Sequence, residues 1–186
     1  RLGFLASFTP DQLLSALVSL SQNTLPIRSR LMIEASVLPA DISCRAMDCG
    51  EVARHRVFHA LALNDAVVTA GAPFHMVELE VSADEETGVR YFGDGVIVST
   101  PSGSTAYNVS SGGPIINPDV DCICITPICP HSLSFRPVVI SDRATVVVTA
   151  VRVNPGTTLF CDGDASHKLS AGQRVVIRRS PHDVQL

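Results

Sequence analysis

Five hydroxyl side chains crowd positions 99–105: Ser99, Thr100, Ser102, Ser104 and Thr105, with Gly103 among them. Small hydroxyls around a glycine let backbone approach a ligand closely and offer both donors and acceptors. The apolar run Val96–Val98 before them suits a buried strand. After them, Ser104 or Thr105 can cap a short helix through Ala106, Tyr107 and Asn108, ending near Gly112 and Gly113. A strand, a polar loop and a helix start are a natural seat for a polar or phosphorylated ligand, because the free N–H groups at a helix start favour an anion. Tyr107 adds a flat ring for stacking. Just upstream, Gly93-Asp94-Gly95 is predicted to be a tight turn that presents one carboxylate. On these residues alone, a ligand loop and a structural turn with a capped helix fit equally well.

Other chemistries fit less well. Ser102 does not stand in a G-x-S-x-G elbow, so Ser102 with His131 as base makes a poor hydrolase. Lys168 is the only lysine, and no G-x-x-x-x-G-K-[ST] loop is present. The six cysteines, Cys44, Cys49, Cys122, Cys124, Cys129 and Cys161, form no C-x-x-C pair. Cys122 and Cys124 lie on a strand-like run, so the expectation is free thiols in a reducing cytoplasm and no metal centre.

The elements that must position the loop are mostly strands. Leu31, Ile33 and Ala35 alternate with Arg30 and Glu34; Val77, Leu79 and Val81 alternate with Glu78 and Glu80; Val175 and Ile177 alternate with Arg174, Val176 and Arg178. A period of two marks half-buried strands. Residues 85–88 and the pair Asp162-Gly163 read as turns. One helix is predicted after Thr9, with Pro10 at its first position, Gln12 completing a capping box, and Leu13, Leu14, Leu17 and Val18 on one apolar face. It should end before Pro26. The stretch from Val37 to Gly50 carries little pattern and reads as a loop or insertion. With 186 residues, 46% of them apolar and 17% charged, the chain supports one globular β-rich domain spanning 1–186: a mainly β fold of two packed sheets with a few short helices. A net charge of -4 argues against nucleic acid or an anionic membrane as partner. No apolar run reaches membrane-span length, and the opening Arg1-Leu-Gly-Phe-Leu5 reads like the middle of a longer protein.

The run from Asp94 to Tyr107 closely resembles the D-G-x-x-x-S-T-P-[ST]-G-S-T-A-Y block of the NAD kinase family. Two further blocks agree in order: Gly112-Gly-Pro-Ile-Ile116 and the segment Thr126-Pro-Ile-Cys-Pro-His-Ser-Leu-Ser-Phe-Arg-Pro137. Upstream, Asn64-Asp65 matches the family's asparagine–acidic pair, Arg30-Leu-Met-Ile-Glu34 its R-x-x-L-E strand, and Arg1–Leu5 the segment after its glycine-rich loop. The resemblance implies a two-domain enzyme in which an N-terminal α/β domain carries a G-G-D-G-T loop with the catalytic aspartate and a C-terminal β-sandwich holds the dinucleotide. Only the second part is expected in this chain, so catalytic residues are not assigned within it. The implied activity transfers the terminal phosphoryl of ATP, with Mg²⁺, or of polyphosphate to the adenosine-ribose 2′-hydroxyl of NAD, giving NADP.

Carried onto this sequence, the family places NAD against Asn64, Asp65, Asp94, Ser102, Thr105, Ala106, Tyr107 and Ser110. Asn64 reads the adenine, Ser102 and Thr105 line it, Ala106 and Tyr107 lie along the ligand, Ser110 sits near a ribose or phosphate, and Asp94 binds ribose or the nicotinamide half, in its own site or a neighbouring subunit's. A homodimer or homotetramer in the cytoplasm is implied. The alternatives are a dinucleotide-binding fragment without catalysis and a lipid or sugar kinase of the same superfamily. Three departures stand out: Asp65 replaces a glutamate found in some members, Ser102 replaces a common threonine, and Asp164 follows Asp162-Gly163 where a polar or basic residue is usual.

Overall fold

The computed structural model describes residues 9–22, 24, 27–42, 48–84, 86–132 and 135–186. In chain order its strands are β1 (Ser29–Arg30), β2 (Ile33–Leu38), β3 (Phe58–Ala62), β4 (Asp65–Thr69), β5 (Val77–Ala83), β6 (Val89–Gly93), β7 (Gly95–Ser99), β8 (Cys122–Ile128), β9 (Val138–Ser141), β10 (Val146–Arg152), β11 (Thr158–Cys161), β12 (Ala165–Lys168), β13 (Arg174–Arg179) and β14 (Val184–Gln185). The helices are α1 (Leu13–Ser21), α2 (Cys49–His55) and α3 (Tyr107–Ser110), with 3-10 turns at Pro10–Gln12 and Ser102–Thr105. The first six-stranded sheet runs β3-β2-β13-β10-β5-β6 and the second β12-β11-β4-β7-β8-β9, every neighbouring pair antiparallel. β1 and β14 make a short separate ribbon.

The alternation seen in the sequence is what closes the sandwich. Ile33, Ala35, Val37, Leu79, Val148, Val175 and Ile177 from the first sheet pack against Ala66, Val68, Val96, Val98, Ile123 and Leu159 from the second, all buried in one core. The residues between them face outward. On the first sheet these include Leu38, Val147 and Val176, which α2 covers with Val52. On the second they include Val67, Ile97 and Ile128. The two-sheet architecture therefore follows the sequence expectation.

Several local readings are corrected. The turn expected at Gly93-Asp94-Gly95 joins two sheets: it bends at Asp94 and carries the chain from β6 in the first sheet to β7 in the second. Both glycines are fixed by close approach, since a Cβ at Gly93 would lie 2.8 Å from the Ile128 carbonyl oxygen and one at Gly95 2.1 Å from that of Val68. The stretch from Val37 to Gly50 holds the end of β2 and the start of α2; residues 43–47 lie outside the described set. Asp48 caps α2 by accepting from the Glu51 N–H at 2.7 Å. Only half of the predicted capping box at the first helix forms, the Gln12 side chain accepting from the Thr9 N–H at 3.0 Å. Leu17 and Val18 are 51% and 55% exposed, so that face is not packed on any described element; the side chains of Leu13 and Leu14 and residues 1–8 lie outside the described set.

Candidate functional site

Register gathers three loops at one end of the second sheet. β4 pairs with β7 so that Asp65 faces Ser99, and with β11 so that Ala66 faces Cys161. The turn entering β4, the loop leaving β7 and the turn leaving β11 therefore meet. Asp162 fastens them. Its carboxylate accepts from three successive backbone N–H groups, Leu63 at 2.7 Å, Asn64 at 2.7 Å and Asp65 at 3.1 Å. A carboxylate on backbone N–H donors makes charge-assisted bonds. Asp162 and Gly163 take φ of 51° and 74°, the left-handed pair that turns β11 back into β12. From the other side, the Thr100 N–H donates to the Asn64 carbonyl at 2.9 Å and its hydroxyl to the Leu63 carbonyl at 2.5 Å. That same hydroxyl accepts from the Gly103 N–H at 3.0 Å. A Cβ at Gly103 would sit 1.9 Å from the Asn64 carbonyl oxygen, so this glycine lies directly on the Asn64 peptide.

The loop itself is held by its own polar side chains. Ser104 does not cap a helix. Its hydroxyl donates to the Pro101 carbonyl at 2.7 Å and accepts from the Ile116 N–H at 3.0 Å, tying the loop to the segment after α3. Ala106 is the residue before α3 and makes no side-chain cap. With four residues, α3 is too short to present the helix-start anion seat expected from the sequence. Asn108 is fully buried instead; its amide donates to the Ser104 and Pro114 carbonyls and accepts from the Thr126 hydroxyl of β8.

Some polar groups of the cluster stay uncommitted. Asp65 as a residue is only 5% exposed, and its carboxyl makes no hydrogen bond among the described residues. Burial, and then the nearby Asp162 charge, push it up from 3.8 to about 6. The Asn64 amide and the Ser102 hydroxyl also lack partners among the described residues, and so does the Ser99 hydroxyl opposite Asp65, which alone of these groups is sealed from solvent. Thr105 is half-buried, while Ala106, Tyr107 and Ser110 line the solvent side. The arrangement offers an acidic acceptor, an amide and hydroxyls beside an exposed ring.

Asp94 is elsewhere. It stands just before the other end of β7, its carbonyl accepting from the Ala70 N–H at 2.8 Å, about 16 Å along the strand from Ser99 at ~3.3 Å per residue. Its near neighbour is Cys129, whose thiol pKa is raised first by its hydrogen bond to Asp94. His131 and Arg136 do not join the cluster: the His131 N–H donates to the Phe92 carbonyl, and Arg136 to the carbonyl of Phe135. Asp162, Thr100 and Asn108 were not singled out as site residues from the sequence. An aspartate before a glycine signals a turn, and nothing in local spacing shows that its carboxylate reaches the turn at Asn64.

Fold and cluster together define a two-sheet antiparallel sandwich with polar loops gathered at one end of one sheet. The chain belongs to the ATP-NAD kinase C-terminal domain family, whose model matches residues 63–186. It is 41% identical over 180 residues to the NAD kinase of Desulforamulus reducens, a match covering 97% of this chain and 58% of the relative. To that of Symbiobacterium thermophilum it is 37% identical over 187 residues, covering 100% and 61%. The chain thus spans about three fifths of these relatives' length. Among solved structures, yeast NADH kinase complexed with NADH superposes with a TM-score of 0.83 at 28% identity, covering 97% of this chain and 49% of that one. An NAD kinase from Archaeoglobus fulgidus in complex with ATP gives 0.77 at 25%, covering 100% and 64%.

Proposed function

We propose that these 186 residues are the dinucleotide-holding part of an NAD kinase, which phosphorylates the adenosine-ribose 2′-hydroxyl of NAD with ATP or polyphosphate to give NADP. The observation that carries this reading is the Asn64–Asp65 pair. A largely buried carboxyl and an amide, both without a hydrogen-bond partner among the described residues, stand side by side on a turn that Asp162, Thr100 and Gly103 hold. Ribose hydroxyls would donate to Asp65, and an adenine edge would pair with Asn64. Ser102 and Thr105 would close over the base, with Ala106, Tyr107 and Ser110 along the ligand. A buried acceptor that gains a donor recovers the desolvation cost it bears in the free protein.

The Mg²⁺ expected with ATP is not fitted by the described residues. Asp162 spends its carboxylate on three backbone N–H groups, and Asp65 is buried with no second free carboxylate beside it. The metal, the phosphoryl donor and the general base are assigned to a part of the protein outside these residues. Alone, this chain would hold NAD and not phosphorylate it, since general-base help is worth ~10²–10⁴-fold.

The assembly is read as a homodimer or homotetramer in the cytoplasm. Phe92, Val138 and Val139 are 43%, 52% and 49% exposed and suit burial against another copy, and Asp94, far from Asn64 in its own chain, would then serve a neighbour's site. The test is calorimetry with NAD and NADP on the full-length protein. Asn64→Ala should weaken binding by about 1–3 kcal/mol with the fold intact. Unchanged affinity in that variant would overturn the assignment. NADP formation by the 186-residue chain alone, with ATP–Mg²⁺ or polyphosphate, would overturn the division of labour.

A further inference from the structure

On the opposite side of the sandwich lies a cavity of about 620 Å³, lined in part by Glu34, Cys49, Arg56, Arg178, Arg179 and Asp183. Glu34 and Arg178 are register partners on β2 and β13 and point away from the core. α2 lies over them; Cys49 is its first residue, and Arg56, the extended residue that ends it, also lines the cavity. This is the outer face of the first sheet, whereas Asp65 and Ser99 belong to the outer face of the second.

The cavity sets three arginines, Arg56, Arg178 and Arg179, against the carboxylates of Glu34 and Asp183. Arg179 is neutralised by Asp142, Asp121 and Asp183. Arg178 is paired only loosely: its side chain is 13% exposed, its Nε is 3.8 Å from the Glu34 carboxylate, Nη1 donates at 2.7 Å to the Cys49 sulfur, and the buried Nη2 has no acceptor among the described residues. A thiol is a weak acceptor, and a buried guanidinium N–H without one carries a desolvation cost. Arg56 makes no ion pair or side-chain hydrogen bond among the described residues; its charge is felt at His59, whose pKa is lowered by burial first and by Arg56 second. Two guanidiniums from two elements, each with donors to spare, face one space. A carboxylate matches a single guanidinium fork, whereas a phosphate has oxygens for both.

We propose that this cavity binds a phosphate group, free or carried on a small metabolite, between Arg178 and Arg56, separately from the dinucleotide site. Cys49 reports occupancy, because a phosphate on Arg178 covers its thiol. Cys129, exposed and next to Asp94, is an internal control on the other sheet. The experiment follows iodoacetamide alkylation of both cysteines in the full-length protein by peptide mass spectrometry, with inorganic phosphate titrated against sodium chloride at matched ionic strength and against acetate. Expected is a saturable slowing at Cys49 alone, to about one tenth when phosphate stands about ten times above its Kd. Arg56→Gln, an exposed change, should abolish it, and Glu34→Gln should shift the isotherm to lower phosphate. A second arm with ribose 5-phosphate distinguishes free from carried phosphate: tighter protection than by phosphate marks a metabolite, equal protection a site for the free ion. No slowing at Cys49, equal slowing at Cys129, slowing by acetate alone, or protection that survives Arg56→Gln would each overturn the proposal.

Discussion

The outer faces of the two sheets are built by the same alternation and finished differently. On the first, α2 lays Val52 over Leu38, Val147 and Val176, an apolar lid of ordinary kind, with charged residues pushed to its margin. On the second, a loop lies against the turn at Asn64, and its contacts are backbone and hydroxyl. A helix satisfies its own N–H and C=O groups and can cover a sheet with side chains alone. A loop cannot, so the second face is stitched by Asp162, Thr100, Ser104 and Asn108, each bonded to backbone of another segment. The stitched face holds its groups at fixed positions and leaves Asp65 and Asn64 uncommitted. The helix-covered face gains stability from burial and tolerates imprecision.

If that contrast is right, adding one carbon should be most damaging on the stitched face. Gly103→Ala forces a Cβ into the Asn64 peptide and is expected to cost about 3 kcal/mol or more and to abolish NADP binding. Gly112→Ala, with nothing within 4 Å but a φ of 84°, should cost about 1 kcal/mol and leave binding in place. Comparable losses in the two, measured by urea unfolding and calorimetry, would break the comparison. Next in size, Asp162→Ala strands three N–H groups and should cost about 2–3 kcal/mol, with the protection of the Leu63, Asn64 and Asp65 amides against hydrogen exchange falling together. Full protection retained would show that the turn stands without its clamp.

Asp65 should respond with the opposite sign. Its folded pKa, about 6, lies above the ordinary 3.8, so the folded state holds the proton more tightly. Its ionisation therefore opposes folding: the cost is absent well below pH 4, grows between 3.8 and about 6, and is complete above that. Asp65→Asn should stabilise the ligand-free protein by about 2 kcal/mol more at pH 8 than at pH 4.5, while weakening NAD binding. A stability change that is flat in pH would show that the carboxyl is not held raised. The smallest effect belongs to the helical lid. Asp48→Ala removes the α2 cap and should cost about 1 kcal/mol with NAD affinity unchanged, which calorimetry checks; a change in NAD affinity would mean the two faces are coupled.

How much of this was legible beforehand differs from element to element. The strands carrying Ile33, Ala35, Val175 and Ile177 were readable because a period of two is a local property, and two half-apolar sheets have few ways to hide their faces other than packing together. The loop around Gly103 was readable as a run of hydroxyls and glycine because composition over one short run is a local property too. α2 was missed although Asp48 and Glu51 stand at capping-box spacing, since its seven residues are too few for a helical period to emerge. On α1, Leu17 and Val18 meet no covering partner among the described residues, because periodicity reports a face and not what covers it.

The sequence by itself determined the strand pattern, the polar loop and the acidic pair at Asn64–Asp65. Only the tertiary structure decided that Asp162 is the clamp of that pair, that Asp94 stands at the far end of β7, and that Arg178 and Arg56 face one space on the opposite sheet. Each of these rests on antiparallel register between segments as far apart as Leu63 and Asp162. Register is set by the burial of whole strands at once, so no window along the chain contains it.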